Sequence, residues 1–326
     1  NRTRRGRAGG RGATSRLTAA AQVRAHRNID GNRPAGHIPP MDRRRFLQSS
    51  TAAAAAGLVF PRLAGAHASS RTYATRPPLQ RIGLQLYTVR SLMSESVERT
   101  LETVAEIGYD EVEFAGLFGR TPAQVRETLD RVGLTAPATH HGIEVFRDGF
   151  EQAAEDATTL GHRYLVLPSL PQGELASTGG TRRIADEMNT FGERCVAAGL
   201  RFGFHNHAAE LQLVDGDIPL QVFLQHTDPD LVTFEVDLFW MVDGGANPLE
   251  YFDAYPGRFE LCHIKDRTPD GKMVDVGKGV IDFAAILAEA DRAGLQHFFV
   301  EHDAPGDAAR SIAASYSHLA RLEIPL

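Results

Sequence analysis

Cysteine and tryptophan are scarce in this 326-residue sequence, which has two of the first and one of the second. Two cysteines cannot build a disulfide framework. A single bridge stays open, but Cys195 and Cys262 each sit among apolar residues, the setting of a buried free thiol. Long apolar runs are also missing. The stretch Ala52 to Phe60 is too short to span a bilayer permanently, so no stable membrane anchor is expected. Lysine is absent from residues 1–76, which carry 15 Arg and 2 acidic residues. The remainder holds 20 basic and 39 acidic residues, a net charge of −19. An acidic body argues against a phosphate backbone as partner, and no nucleic-acid partner is expected.

The basic head divides into parts. Residues 1–40 are rich in Arg, Gly and Ala and lack apolar periodicity, so they are expected to be disordered. Met41 opens what reads as an export signal, which makes 1–40 upstream of the natural start. Residues 41–68 begin Met41-Asp42-Arg43-Arg44-Arg45-Phe46-Leu47 and resemble a twin-arginine signal. A weakly apolar region and an Ala66-His67-Ala68 cleavage site follow in the required order. The resemblance implies export by the twin-arginine translocase to the periplasm or beyond; an uncleaved N-terminal anchor is the alternative. Residues 69–79 read as a linker and 80–326 as the folded body.

Within the body, short apolar strand patterns alternate with helical ones. Strands are predicted at 82–88, 111–114, 135–140, 164–167, 201–207, 232–237, 259–264 and 298–301. Helices are predicted at 96–107, 121–133, 150–160, 184–198, 220–225, 248–255, 282–293 and 308–322. Several helices stop at glycine, as at Gly108, Gly161 and Gly294. Eight strand–helix units in about 250 residues match a (β/α)8 TIM barrel. A doubly wound open sheet is the alternative. Against it, Tyr87-Thr88-Val89-Arg90 stands where a glycine-rich phosphate loop would follow the first strand. The loop 168–180 is long for such a unit and is a candidate lid.

Barrels of this kind carry their chemistry at the C-terminal ends of the strands. Here those ends hold Gln85, Tyr87, Glu111, Glu113, His140, His141, His205, Asn206, His207, Glu235, Asp237, His263, Lys265, Asp266, Glu301, His302 and Asp303. Ionisable groups at such density are rarely buried unless paired or coordinated. His205, Asp237, His263 and Glu301, from four successive strand ends, are the candidate ligands of one divalent metal per chain. Mixed imidazole and carboxylate donors suit Mn, Zn, Co or Fe(II).

Leu84-Gln85-Leu86-Tyr87-Thr88-Val89-Arg90, Phe204-His205-Asn206-His207 with Glu210, and His263-Ile264-Lys265-Asp266 resemble the sugar phosphate isomerase/epimerase family of xylose-isomerase-like barrels. The likeness runs from about Arg81 to the C-terminus. It implies a metal bound by strands five to eight at the four residues named. Ketose epimerases of the wider group present Glu where His205 stands, and a bound imidazole is a poor base. The two-glutamate epimerase mechanism therefore does not carry over intact.

The expected reaction on a small-molecule sugar is proton abstraction beside a carbonyl through a metal-stabilised enediolate. Glu301 or Glu113 would be the base, His207 a further candidate, and Lys265 a cation for developing negative charge. Gln85, Tyr87, His141, Trp240 and Lys278 are candidate substrate contacts, Lys278 on a Gly277–Asp282 loop able to close. Epimerisation, isomerisation and elimination from an oxidised glycoside share the intermediate, and a lyase or hydrolase acting on oxidised (keto) glycosides is an alternative. A metal-dependent endonuclease and a non-catalytic sugar-binding barrel remain alternatives, and homo-oligomerisation stays open.

Overall fold

The structure is a computed structural model that describes residues 75–76, 79, 81–171 and 173–325. The head, the export signal and most of the linker lie outside the described residues. Eight parallel strands close into a barrel: β1 Gly83–Gln85, β2 Glu111–Phe114, β3 Thr135–His140, β4 Tyr164–Leu167, β5 Arg201–His205, β6 Val232–Asp237, β7 Phe259–Ile264 and β8 His297–Val300. Each pairs with its sequence neighbour, and β8 closes on β1 through Phe299 beside Gly83. The expected (β/α)8 architecture is thus the one observed. Among the described residues no helix is long and apolar enough to cross a membrane. Cys195 and Cys262 are buried and unbridged.

Local chemistry sets the helix ends. Thr121 and Gln124 form a reciprocal capping box with Pro122 at the first position of helix Pro122–Val132. Gly108 ends helix Val97–Ile107 at φ 116°, a backbone conformation glycine adopts without a Cβ penalty. Several boundaries differ from expectation. The helix expected from Ile184 starts at Thr178, because Ser177 caps it by accepting from the Gly180 amide. The candidate lid is shorter to that extent. The first strand ends at Gln85 and passes into a 3-10 turn over Leu86–Val89. Unforeseen were a two-residue pairing of Thr75–Arg76 with Ile324–Pro325 and a short hairpin, Asp266–Arg267 with Met273–Val274.

Alternation along each strand decides what fills the lumen, since successive side chains point to opposite faces. Leu84, Val112, Leu165, Phe204, Val236, Ile264 and Val300 belong to the large core between barrel and helices. Their alternates face inward. A separate apolar plug of Ala138, Tyr164, Val166, Leu261 and Phe299 fills the middle of the lumen. Gly83 is part of that packing, because a Cβ there would meet the Phe299 ring at 2.4 Å. Above and below the plug the inward positions turn polar. Glu111, Glu113, Glu235, Asp237, His263 and Glu301 thus occupy the lumen ends, while neighbours one residue away are core.

Candidate active site

At the C-terminal mouth the inward residues meet in two tiers joined by one imidazole. In the lower tier, His140 Nε2 lies 2.8 Å from Glu235 Oε2 and 3.3 Å from Glu113 Oε1. His205 Nδ1 lies 3.1 Å from the same Glu235 Oε2. His263 Nε2 is 2.7 Å from Glu113 Oε2 and 3.1 Å from Glu235 Oε2. Gln85 donates to Glu113 Oε2 at 2.8 Å. In the upper tier, His263 Nδ1 lies 2.7 Å from Glu301 Oε2. Lys265 Nζ reaches Glu301 Oε2 at 2.8 Å, Asp237 Oδ2 at 3.0 Å and Asp303 Oδ1 at 3.0 Å. His205 Nε2 and His263 Nδ1 each stand 3.8 Å from Asp237 Oδ2.

All of these groups except Asp303 are buried, so their mutual fields are strong. Burial pushes Asp237 up to about 6 against the pull of Lys265. Burial also acts against charge on Lys265, yet Asp237, Asp303 and Glu301 hold its ammonium well above the ordinary range. Glu301 behaves in the opposite sense to Asp237: burial is outweighed by Lys265 and His263, and its carboxyl falls well below the usual value. His140 rises to about 9 because Glu113 and Glu235 outweigh the burial that disfavours its charge. Burial, and then the neighbouring His263, hold His205 well below an ordinary histidine.

The cluster holds five carboxylates and one lysine. Even with His140 and His263 both charged, negative charge is in excess by two. Among the described residues, Glu113 Oε1, Glu235 Oε1, Asp237 Oδ2 and His263 Nδ1 are buried without an aligned hydrogen bond, a costly state for polar atoms. Surplus anionic charge and unsatisfied donors of imidazole and carboxylate type fit a divalent cation. Two groups of donor atoms lie close enough to hold one: Asp237, His263 and Glu301, and the deeper His140, His205, Glu235 and His263. Of the four ligands expected from sequence, three share the first group. His205 belongs to the second, with its Nε2 turned toward Asp237.

The other expected site residues are placed as follows. Glu113 and Gln85 lie fully buried beneath His263, supporting the cluster rather than lining an opening. His207 packs edge-on against His205 at 4.8 Å and lies 5.3 Å from Trp240 between ring centroids. The Lys265 ammonium stands 5.7 Å from the Trp240 ring centre, so these three form one wall of the mouth. Tyr87 is half-buried under the Arg90 guanidinium at 4.0 Å. His141 follows β3, and burial together with His162 and His140 lowers its pKa to about 4. Lys278 is exposed and paired with Asp275 at 2.6 Å, away from the ion pairs of the cluster. Its loop is tied down: Asp266, buried, accepts from the amides of Gly277, Gly279 and Ile281. Lys265 and Asp266 therefore face different tasks rather than each other.

Glu235 and His140 join the cluster without having been assigned a role from sequence. The usable signal was parity: Glu235 lies two residues before Asp237 and so shares its face. Asp303 was likewise named only as a strand-end residue.

Comparison with known proteins agrees with this fold. A family described as xylose isomerase-like TIM barrel matches residues 101–322. An inosose dehydratase of Geobacillus kaustophilus is 22% identical over 233 residues, covering 59% of this chain and 75% of that one. A crystal structure of a sugar phosphate isomerase/epimerase from Parabacteroides distasonis superposes with TM-score 0.66 at 26% identity, over 78% of this chain and 97% of that one. The IOLI protein, whose crystal structure carries a zinc atom, gives TM-score 0.61 at 18% identity, over 74% and 98%.

Proposed function

The chain belongs to the xylose isomerase-like TIM barrel family, and on that premise we propose that it is a divalent-metal-dependent sugar isomerase or epimerase. The observation that carries this reading is the convergence of Asp237, His263 and Glu301 with Lys265 at one barrel mouth. His205 Nε2, Asp237, His263 Nδ1 and Glu301 would hold the cation; the zinc of the IOLI protein, on the same fold, supports a metal there. A cation so held supplies Lewis acidity to a substrate carbonyl or hydroxyl oxygen.

The chain's own groups do the rest. Glu301 is kept ionised by Lys265 and His263, so it is ready to accept a proton from the carbon beside a carbonyl. Its hydrogen-bonding neighbour Lys265 keeps positive charge at the place where negative charge develops on oxygen. His207, on the mouth wall, would return a proton. Glu113 is enclosed by Gln85 and His263, which leaves Glu301 as the base of choice. Trp240 offers a flat apolar face beside Lys265, suited to a sugar ring.

A second reading is favoured by the relative described as an inosose dehydratase. The same proton abstraction, followed by departure of a β-hydroxyl or a β-linked sugar, makes the enzyme a lyase on keto-sugars or oxidised glycosides. The signal-like residues 41–68 support a periplasmic or exported site of action. Incubation with candidate keto-sugars in D₂O distinguishes these readings. Deuterium in a rearranged sugar supports isomerisation or epimerisation, and an unsaturated product supports the lyase. Absence of both exchange and product with every keto-sugar, in metal-loaded protein, overturns both readings.

A further inference from the structure

A histidine ligates through an unprotonated ring nitrogen, so a ligand histidine needs its single proton kept on the other nitrogen. The lower tier of the mouth has the geometry to do this for two histidines at once. We propose that Glu235 and Glu113 are positioning residues that fix the tautomers of His205 and His263; this rests on the cation reading above. A carboxylate accepts and does not donate. Ring nitrogens aligned for a hydrogen bond to a carboxylate must therefore carry hydrogen. These are His205 Nδ1, 3.1 Å from Glu235, and His263 Nε2, 2.7 Å from Glu113 and 3.1 Å from Glu235.

The nitrogens left over are His205 Nε2 and His263 Nδ1, the second lying 2.7 Å from Glu301 Oε2, a fellow candidate ligand, without hydrogen-bond alignment. Both stand 3.8 Å from Asp237 Oδ2, too far for a hydrogen bond and apt for separate ligands of one ion. Asp237 Oδ2 and His263 Nδ1 are two of the buried atoms left without an aligned partner. One pair of carboxylates thus turns two imidazoles from different strands so that their free nitrogens converge.

The clamp is itself held. Gln85 donates to Glu113 Oε2 while its own carbonyl oxygen accepts from the Tyr87 amide, so the backbone beyond β1 orients Glu113. His140 Nε2 lies between the two carboxylates, 2.8 Å from Glu235 and 3.3 Å from Glu113. It supplies a donor where two acceptors would otherwise face each other. The opposite tautomer of His205 would set a lone pair against Glu235 Oε2 and leave a buried acceptor unmet.

The test combines zinc titration with ¹⁵N NMR of the histidine rings, in wild type, Glu235→Gln and Glu113→Gln. In wild type, His205 should be the Nδ1–H tautomer both without metal and with zinc, and His263 should keep its Nε2–H in the zinc form. Glu235→Gln should still bind one zinc, about 10- to 100-fold more weakly, with His205 moving toward a mixture of tautomers. Glu113→Gln should disturb His263 and spare His205. An Nε2–H tautomer of His205 in wild type overturns the proposal without any variant. So does unchanged zinc affinity in Glu235→Gln. Two zinc ions in wild type, one of them lost in Glu235→Gln, would make Glu235 a ligand and likewise overturn it. A wild type that binds no zinc refutes the cation reading instead, while His205 in the metal-free protein still decides the positioning claim.

Discussion

Polar groups are buried at both ends of the lumen, but the two ends are finished differently. At the N-terminal end, Glu111 accepts from Arg81 at 3.3 Å and lies 2.8 Å from His297. Nearby, Glu260 accepts from Tyr164 at 2.7 Å and pairs with Arg201. Each carboxylate has a guanidinium partner, and no side-chain atom of these six residues is among the buried unsatisfied ones. At the C-terminal end, five carboxylates share one lysine, and buried oxygens and a ring nitrogen have no aligned partner. The first arrangement is complete as it stands. On the proposed reading, the second is completed by a cation. Burial of charge is common to both and so does not mark the site; imbalance and unmet valence do.

Substitutions can sharpen or break this contrast. The largest effect is expected for Asp237→Asn, which removes the carboxylate toward which both free imidazole nitrogens turn. Metal binding should be lost and turnover of any keto-sugar substrate should fall at least about 10³-fold, with the barrel still folded by circular dichroism. Full activity in this variant would erase the distinction between the two ends.

Next in size is Lys265→Met. It leaves Asp237, Glu301 and Asp303 without their shared ammonium. Breaking a buried ion pair from one side costs about 3–5 kcal/mol, to be read from urea unfolding of metal-free protein. Added divalent metal should restore much of the loss, whereas no metal should rescue a defect at the N-terminal end.

A smaller effect is set by pH. His140 has its folded-state pKa raised to about 9, above the ordinary value near 6.5. Its contribution to stability is therefore fully present below about pH 6.5 and is lost as pH rises through about 9. Metal-free wild type should lose on the order of 3 kcal/mol from this group over that interval. His140→Gln should flatten the profile; an unchanged profile would remove His140 from the charge balance of the mouth.

The smallest effect belongs to the finished end. Tyr164→Phe deletes the hydrogen bond to Glu260 and should cost about 1–2 kcal/mol in thermal or urea unfolding. Metal affinity and activity should be unchanged, since the Tyr164 hydroxyl bonds Glu260 at the N-terminal end and touches none of the mouth residues. A fall in metal affinity would show that the ends are coupled.

Much of this could be read from residue order. Short apolar runs ending in ionisable residues placed Glu113, Asp237, His263, Lys265 and Glu301 at strand ends, and the barrel followed from the eightfold alternation. What escaped was set by contacts between distant residues. Glu235 and Asp237 occupy equivalent inward positions, and only the ring orientations of His205, His140 and His263 give Glu235 a different task. Glu113 has the composition of a base, yet Gln85 from one strand and His263 from another enclose it. Lys278 lies on a glycine-rich loop of the kind that closes on substrates, but Asp266, eleven residues before Gly277, pins that loop by three amides. The early start of the helix at Thr178 turned on a single serine cap.

The most direct test of the account is the number of divalent ions bound by the chelator-treated protein, measured by zinc or manganese titration and confirmed by elemental analysis. One ion per chain, lost in Asp237→Asn and retained in Tyr164→Phe, is the expected result. No tight binding in wild type, or binding that survives Asp237→Asn undiminished, would contradict the claim that the C-terminal mouth is completed by a cation.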